Sequence, residues 1–322
     1  MKKLVTGAAM ALMTLSGAAL ADGHESYPER PIMMMVSYGA GGATDFQARI
    51  VTMTAGNEDA LGMPVAILNK PGAGGRVGWN WLATQAEADG YTLGAYNVPH
   101  FIAQSIKGGV EYSTDSFEPI ANWGADPAVL VVGNDSEFNS LQDVVDFAKA
   151  NPGKLTTSGA GLFVGHHIAA LQMEKAGDMK LAYIPTKGGG AAAMKAVIAG
   201  EVMAGINNLS DAFRAAEAGN VKILAVADLE RNEFLPDVPT MMESGLDVDN
   251  ASVNFRGIMV PKGTPQGVID ELAATVPAMF ENKRVAGKMK AGGSPMHIMT
   301  RDEVIEMWNA RQETLAVLLQ GL

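Results

Sequence analysis

One stretch constrains the fold more than any other: Val36-Ser37-Tyr38-Gly39-Ala40-Gly41-Gly42-Ala43-Thr44-Asp45-Phe46-Gln47-Ala48-Arg49. Upstream of it, Pro31 to Val36 is an apolar run of the length of a buried strand. Downstream, Phe46, Ile50, Val51 and Met53 recur at helical spacing, with Thr44 or Asp45 placed as the N-cap. Gly39, Gly41 and Gly42 fill the turn between. Such a turn lets backbone N–H groups converge at the positive end of a helix, where an anion fits, although it also serves as a plain strand-to-helix connection. It is not a nucleotide fingerprint, because Thr44 stands where a dinucleotide motif needs its third glycine and no Lys-Ser/Thr pair follows.

The first 21 residues read as a secretory signal: Lys2 and Lys3, an apolar run from Leu4 to Leu20, then Ala19-Leu20-Ala21 as a small-x-small cleavage site. No cysteine follows to carry a lipid, so the expected location is the bacterial periplasm, without an anchor. The mature chain, of about 300 residues, is long enough for two domains. Lys2 and Lys3 are the leader's only charged side chains, so its removal leaves 22 basic residues against 35 acidic, a net charge of −13. That charge argues against nucleic acid and anionic lipid as partners. An anionic ligand would have to be held by local dipoles against the global field. With no cysteine, disulfides, thiolate metal sites and thiol nucleophiles are excluded.

Strand and helix signals alternate along the chain, which predicts an α/β architecture. Strands are expected at 31–36, 65–69, 91–95, 154–158, 179–184, 202–206, 221–227 and 255–260, and helices near 77–86, 141–150, 165–176, 191–199, 265–280 and 301–319. Pro277 is expected to bend or shorten its helix. The apolar segment 120–132 reads as a connection that leaves one lobe and becomes a strand of another, with 255–260 as the return. The division expected is residues 22–124 with 253–322 in lobe one and 125–252 in lobe two.

Several strands end in small, polar or glycine-rich segments: Gly39 to Asp45, Tyr96-Asn97, Ser158 to Gly161, Thr186 to Gly190 and Asn207-Asn208. Ligands of open α/β sheets sit outside the carboxyl ends of the strands. Two lobes joined by two crossings would face these ends across a cleft and close on a ligand by hinge motion.

These residues also carry a family resemblance. Tyr27-Pro28-x-x-Pro31 and Gly41-Gly42-x-x-Asp45-x-x-x-Arg49 resemble the opening of the tripartite tricarboxylate transporter receptors, the Bug family of periplasmic solute-binding proteins. The similarity continues through Asn69-Lys70-Pro71-Gly72-Ala73-Gly74-Gly75, Asp89-Gly90-Tyr91-Thr92-Leu93, Pro152-Gly153-Lys154-Leu155, Lys187-Gly188, Leu235-Pro236-Asp237-Val238-Pro239-Thr240 and Pro261-x-Gly263-Thr264-Pro265. It implies a two-lobe, class II "Venus flytrap" that hands a small organic carboxylate to integral-membrane permease subunits, with no cofactor and no catalysis, and expected as a monomer. In that family backbone amides and hydroxyls of both lobes hold the proximal carboxylate. Carried over, this implies Tyr38, Gly41, Gly42 and Thr44 from lobe one, and Ser158, Gly161 and Thr186 from lobe two.

Three positions depart from the family pattern. Ser37-Tyr38-Gly39-Ala40 replaces the usual Pro-Phe-Pro-Ala, Thr186-Lys187-Gly188 the aromatic-Lys-Gly, and Phe255 the tryptophan of the return crossing. All border the expected cleft, so the family's ordinary dicarboxylates do not carry over. Asp45 fits a helix cap or an organiser of loop amides. Lys187, beside Gly188, fits an opposing charge or a solvated loop lysine. Of the adjacent His166 and His167, His166 is the candidate for the cleft. Asn97 and Asn207 could contact the distal part of a ligand or cap loops, and Phe255 could be cleft wall or core. The competing classes are a ligand-sensing subunit for a membrane signalling protein, which would share the fold and site, and a secreted hydrolase. The chain has neither Gly-x-Ser-x-Gly nor His-Glu-x-x-His. Intact-mass measurement of exported protein should show a chain beginning at Asp22, and a mass retaining residues 1–21 would overturn the export reading.

Overall fold

A computed structural model describes residues 27–320, so the leader lies outside the described residues. Two sheets organise the chain. The first contains β1 (Ile32–Val36), β2 (Val65–Asn69), β3 (Thr92–Val98), β4 (Phe117–Asp126), β10 (Asn254–Pro261) and β11 (Met296–Met299), in the order β11-β4-β10-β3-β1-β2. The second contains β5 (Ala128–Gly133), β6 (Leu155–Gly159), β7 (Leu181–Pro185), β8 (Ala204–Asn208) and β9 (Val221–Ala227), in the order β7-β6-β8-β5-β9. β1 runs parallel to β2 and β3, and β6 parallel to β7 and β8, while the crossing strands β4, β5 and β10 pair antiparallel with their neighbours. This is a two-lobe α/β fold. The chain leaves the first sheet at Asp126-Pro127-Ala128 and returns after Ser252 into β10.

Both sheets are covered on both faces, which explains why their central strands read as continuous apolar runs. In β1, Met34 and Val36 pack with the core beneath α1 (Ala43–Val51), α8 (Gln266–Glu281) and α9 (Lys283–Ala291). Met35, on the opposite face of the pleat, packs with Trp79, Tyr96, Phe101 and Trp308, under α2 (Arg76–Thr84), α3 (His100–Lys107) and α10 (Arg301–Leu318). The second lobe repeats the scheme. Leu130 and Val132 face α4 (Leu141–Ala150) and α5 (Gly165–Gly177), while Val129 and Val131 face α6 (Gly190–Ile198) and α7 (Leu209–Glu217).

The structure differs from the sequence reading in places with physical causes. β3 runs one residue past Asn97, and β8 includes Asn207 and ends at Asn208, so Asn97, Asn207 and Asn208 are buried in strands. α3 and α7 follow those strands directly and were not expected: polar residues at their starts (His100, Ser210, Asp211) conceal apolar faces that pack inward. α9 and β11 were likewise not foreseen. α8 continues through Pro277 to Glu281, because buried Val276, Met279 and Phe280 hold the turn that lacks one N–H.

Where the crossings meet, Arg256 of β10 is fully buried. It pairs with Asp126 at the end of β4, with Nη1 2.6 Å from Oδ2. Asp126 also accepts from Gln47 Nε2 at 3.2 Å and from the Ser210 backbone N–H at 3.1 Å, so one carboxylate joins α1, both crossings and α7. Arg256→Ala would leave that carboxylate buried without its cation. The expected loss is roughly 3–5 kcal/mol of unfolding free energy, measurable by urea denaturation; a loss under about 1 kcal/mol would show that the pair is dispensable.

Candidate functional site

The carboxyl ends of β1, β3, β6 and β8 point at a cavity between the lobes. Its wall is made by Tyr38, Gly39, Gly42, Ala43, Thr44, Asn97, His100 and Asn254 from the first lobe, and by Ala160, His166, Gly188, Gly190, Asn208 and Asp211 from the second. Five helices begin there: Ala43 and Thr44 open α1, His100 opens α3, His166 lies in the first turn of α5, Gly190 opens α6 and Asp211 lies in the first turn of α7. Each contributes the positive end of its dipole, an arrangement suited to negative charge, while the Ala43, Gly165 and Ser210 amides are already bonded to side chains.

Around this cavity the lobes touch. The Arg214 guanidinium lies 4.4 Å from the Phe46 ring centre and donates from Nη1 to the Gly292 carbonyl at 3.1 Å. Gln104 Nε2 donates to the Leu162 carbonyl at 3.3 Å, and the Gly165 N–H to His100 Nε2 at 3.4 Å. At one contact two glycine backbones abut: Gly161 has φ +151°, and a Cβ added there would lie 2.8 Å from Gly74 Cα. The cleft is closed.

Hydrogen bonding fixes where protons lie on three wall residues. Thr44 Oγ1 accepts from Asn97 Nδ2 at 2.9 Å and Arg256 Nε at 3.2 Å, which uses both lone pairs. Its proton therefore has no partner among the described residues and is available to the cavity. His100 Nε2 accepts from the Gly165 amide, so the proton of a neutral ring sits on Nδ1, which is buried with no partner among the described residues. His166 Nδ1 accepts from the Ala160 N–H at 3.1 Å, which leaves the proton on a similarly unpartnered Nε2. Both rings are neutral at pH 7. Burial lowers the His166 pKa to about 4, with the neighbouring Asn208 side chain acting the other way, and burial, with His166 and Arg256 nearby, holds His100 well below the usual imidazole range. Thr44, His100 and His166 thus present three uncharged donors from both lobes.

Asp211 is the opposing element. Its Oδ2 accepts from the Ala43 N–H at the start of α1 at 3.3 Å, while Oδ1 pairs with Arg214. Burial raises its pKa, the Arg214 charge opposes that, and Asp126 adds to it.

Among the residues expected from sequence, Tyr38, Gly42, Thr44, Asn97, His166 and Gly188 line the cavity. The others lie elsewhere. Gly42, not Thr44 or Asp45, is the N-cap of α1. Asp45 faces away from the cavity: its carboxylate accepts from the Gly41 N–H at 2.9 Å and pairs with Arg49 and Asn69, fixing the glycine turn from outside. Burial pushes its pKa up, but the bonds from Arg49, Gly41 and Asn69 outweigh that and hold it below the usual carboxylate range. The hydroxyls expected to clamp a carboxylate are turned inward. Ser158 is fully buried and donates to the Ala193 carbonyl at 3.0 Å; Thr186 bonds the Gly159 and Gly189 carbonyls at 3.0 and 2.8 Å. Asn207 holds the Gly190 carbonyl at 3.0 Å, Lys187 is exposed, and Gly161 sits at the lobe contact. Phe255 packs against His297 and Arg311 on the far side of its sheet, since in β10 the cavity face belongs to its neighbours Asn254 and Arg256. Sequence reasoning had Asn208 only as part of a strand end facing the cleft and missed His100, Asp211 and Asn254; the period of two about Phe255 was the available signal for Asn254, and for Arg256 behind it.

The family model of the tripartite tricarboxylate transporter family receptor matches residues 48–311. The chain belongs to that family. The protein BugT of Bordetella pertussis is 32% identical over 291 residues, covering 89% of this chain and 88% of BugT. A Pseudomonas protein from the tcbD–tcbE intergenic region is 30% identical over 301 residues, covering 91% and 88%. Among solved structures, the periplasmic binding protein BugD superposes with a TM-score of 0.84 at 28% identity, covering 91% of this chain and 98% of BugD. MatC of Rhodopseudomonas palustris, solved with malate, shares the fold with a TM-score of 0.83 at 24% identity, covering 91% of this chain and all of MatC (100%).

Ring-nitrogen NMR of the transport receptor between pH 5 and 8 should show both cavity imidazoles neutral, His166 as the Nε2–H tautomer and His100 as Nδ1–H. A titration near pH 6.5 at either ring would contradict the assignment.

Proposed function

We propose that this receptor captures a small carboxylate in the cavity between its lobes and presents the closed form to membrane permease subunits of a tripartite tricarboxylate-type system. The carrying observation is the convergence of Thr44 Oγ1–H, His100 Nδ1–H and His166 Nε2–H, each with its proton fixed and unpartnered, where five helices begin. Structural neighbours of the same fold were solved with malate and with adipate, and a carboxylate is the ligand class that fits this donor set. The basic and apolar N-terminal segment with its small-x-small site supports a periplasmic location.

A carboxylate between these donors resolves the conflict with a net charge of −13. Distant surface carboxylates act through screening water, with a Debye length of about 8 Å, whereas the donors act at contact. Each hydrogen bond to a charged group contributes roughly 1.5–3 kcal/mol. Because the donors come from both lobes, all are engaged only when the cleft is shut, so ligand favours closure. Neutral imidazoles also serve an importer's need for reversibility, since a salt bridge would hold the solute more tightly.

Calorimetry with a panel of two- to six-carbon carboxylates, malate and adipate included, tests the reading. At least one should bind and be recovered unchanged, and small-angle scattering should show compaction. His166→Phe should lower affinity about 10- to 100-fold without lowering the melting temperature enough to unfold the protein. Failure of every carboxylate to bind would sink this function, and unchanged affinity in folded His166→Phe would remove His166 from the site.

A further inference from the structure

The donors described above form one pole of the cavity. The other pole is made of acceptors. Asn97 Nδ2 donates to Thr44 Oγ1 at 2.9 Å and to Asn254 Oδ1 at 3.1 Å, which leaves Asn97 Oδ1 buried and without a hydrogen bond among the described residues. Turning the Asn97 amide alone would set the two carbonyl oxygens of Asn97 and Asn254 against each other. Asn254 is itself oriented by its bond from Nδ2 to Asn208 Oδ1 at 3.2 Å. The second acceptor is Asp211. Its Oδ1 is engaged by Arg214, but Oδ2 holds only the 3.3 Å bond from the Ala43 amide and a carboxylate oxygen has room for another donor. Gly190 leaves that oxygen open to the cavity: a Cβ there would lie 3.2 Å from Asp211 Oδ2 and 3.1 Å from Asn207 Oδ1.

An unpaired buried carbonyl and an under-used carboxylate are unfavourable unless a ligand satisfies them. A bare aliphatic carboxylate satisfies only the donor pole, and a second carboxylate of a dicarboxylate would meet Asp211 with like charge. Resting on the carboxylate reading above, we infer that the ligand is a carboxylate that also carries a hydrogen-bond donor, such as a hydroxyl, ammonium or amide N–H, received by Asn97 Oδ1 and Asp211. Asp211 is the specificity-determining residue, selecting the donor-bearing acid over its unsubstituted counterpart.

Sites built to bond a substrate's OH or NH reject the analogue that lacks it strongly, because their own polar groups are then left unpaired. Competition calorimetry with matched pairs therefore tests the inference: glycolate against acetate, alanine against propionate, and malate against succinate. Wild type should prefer the donor-bearing member of at least one pair by tenfold or more. Asp211→Ala should collapse that preference and raise affinity for succinate, because Arg214 then faces the cavity without its counter-charge. Asp211→Asn, which keeps the acceptor oxygen and the side-chain shape, should relieve the rejection of succinate while retaining part of the preference. If acetate, propionate and succinate bind wild type as well as their partners do, this inference fails while the carboxylate reading stands; if no member of any pair binds, both fail. A preference unaltered in folded Asp211→Ala would also overturn the role of Asp211.

Discussion

Everything at the centre of this receptor hangs on the buried pair of Arg256 and Asp126. The two residues lie on the two strands that cross between lobes, β10 and β4, and both are fully buried. Removing two charges from water is strongly unfavourable, and only further hydrogen bonds to each partner make it tolerable. Those bonds determine the site. Arg256 donates through Nε to Thr44 and through Nη1 to Gln47; Asp126 accepts from Gln47 and from Ser210 at the start of α7. The hydroxyl of Thr44 is thereby obliged to point its proton at the cavity. The electrostatics that join the lobes thus also set the polarity of the binding wall.

The charges around the cavity are paired by the same design. The arginines nearest the cavity are neutralised by aspartates, Arg256 by Asp126 and Arg214 by Asp211. The oriented groups left on and behind the wall are a hydroxyl, two neutral imidazoles and the buried Arg256 Nη2, which has no hydrogen-bond partner among the described residues. Such groups discriminate by direction rather than by charge, so a molecule must present acceptors and donors in the right order to be held. Each imidazole keeps its tautomer through a backbone amide of lobe two, Gly165 for His100 and Ala160 for His166. The His100 bond crosses the cleft, so closing the lobes completes the proton pattern that the ligand meets.

Close backbone approach supplies the remaining constraint. Gly161 abuts Gly74 across the rim, and a Cβ on Gly165 would fall 3.3 Å from His100 Cε1 of the facing lobe. Side chains at these points would wedge the lobes apart. Asp45 works from outside the cavity, holding the glycine turn by its Gly41 amide so that the start of α1 stays in place.

The alternation of strand and helix signals, the two crossings, the glycine turn after β1 and the family motifs were all legible in the chain, because each depends on local periodicity or turn chemistry. Leu141–Ala150 and Val221–Ala227 could be read to the residue, since capping and turn signals mark both ends. Of the site, the glycine turn with Thr44, and Asn97 and His166, could be located, because they sit at strand ends and helix starts. Which of two adjacent residues faces the cavity could not be. Phe255 and Arg256, and Asn207 and Asn208, differ only in the face of a strand, and that choice follows from packing between distant segments. His100 and Asp211 were invisible for a stronger reason. A histidine or aspartate near a helix start is ordinary in sequence, and each acquires its role only when the other lobe brings an amide, from Gly165 or from Ala43, to within hydrogen-bonding distance.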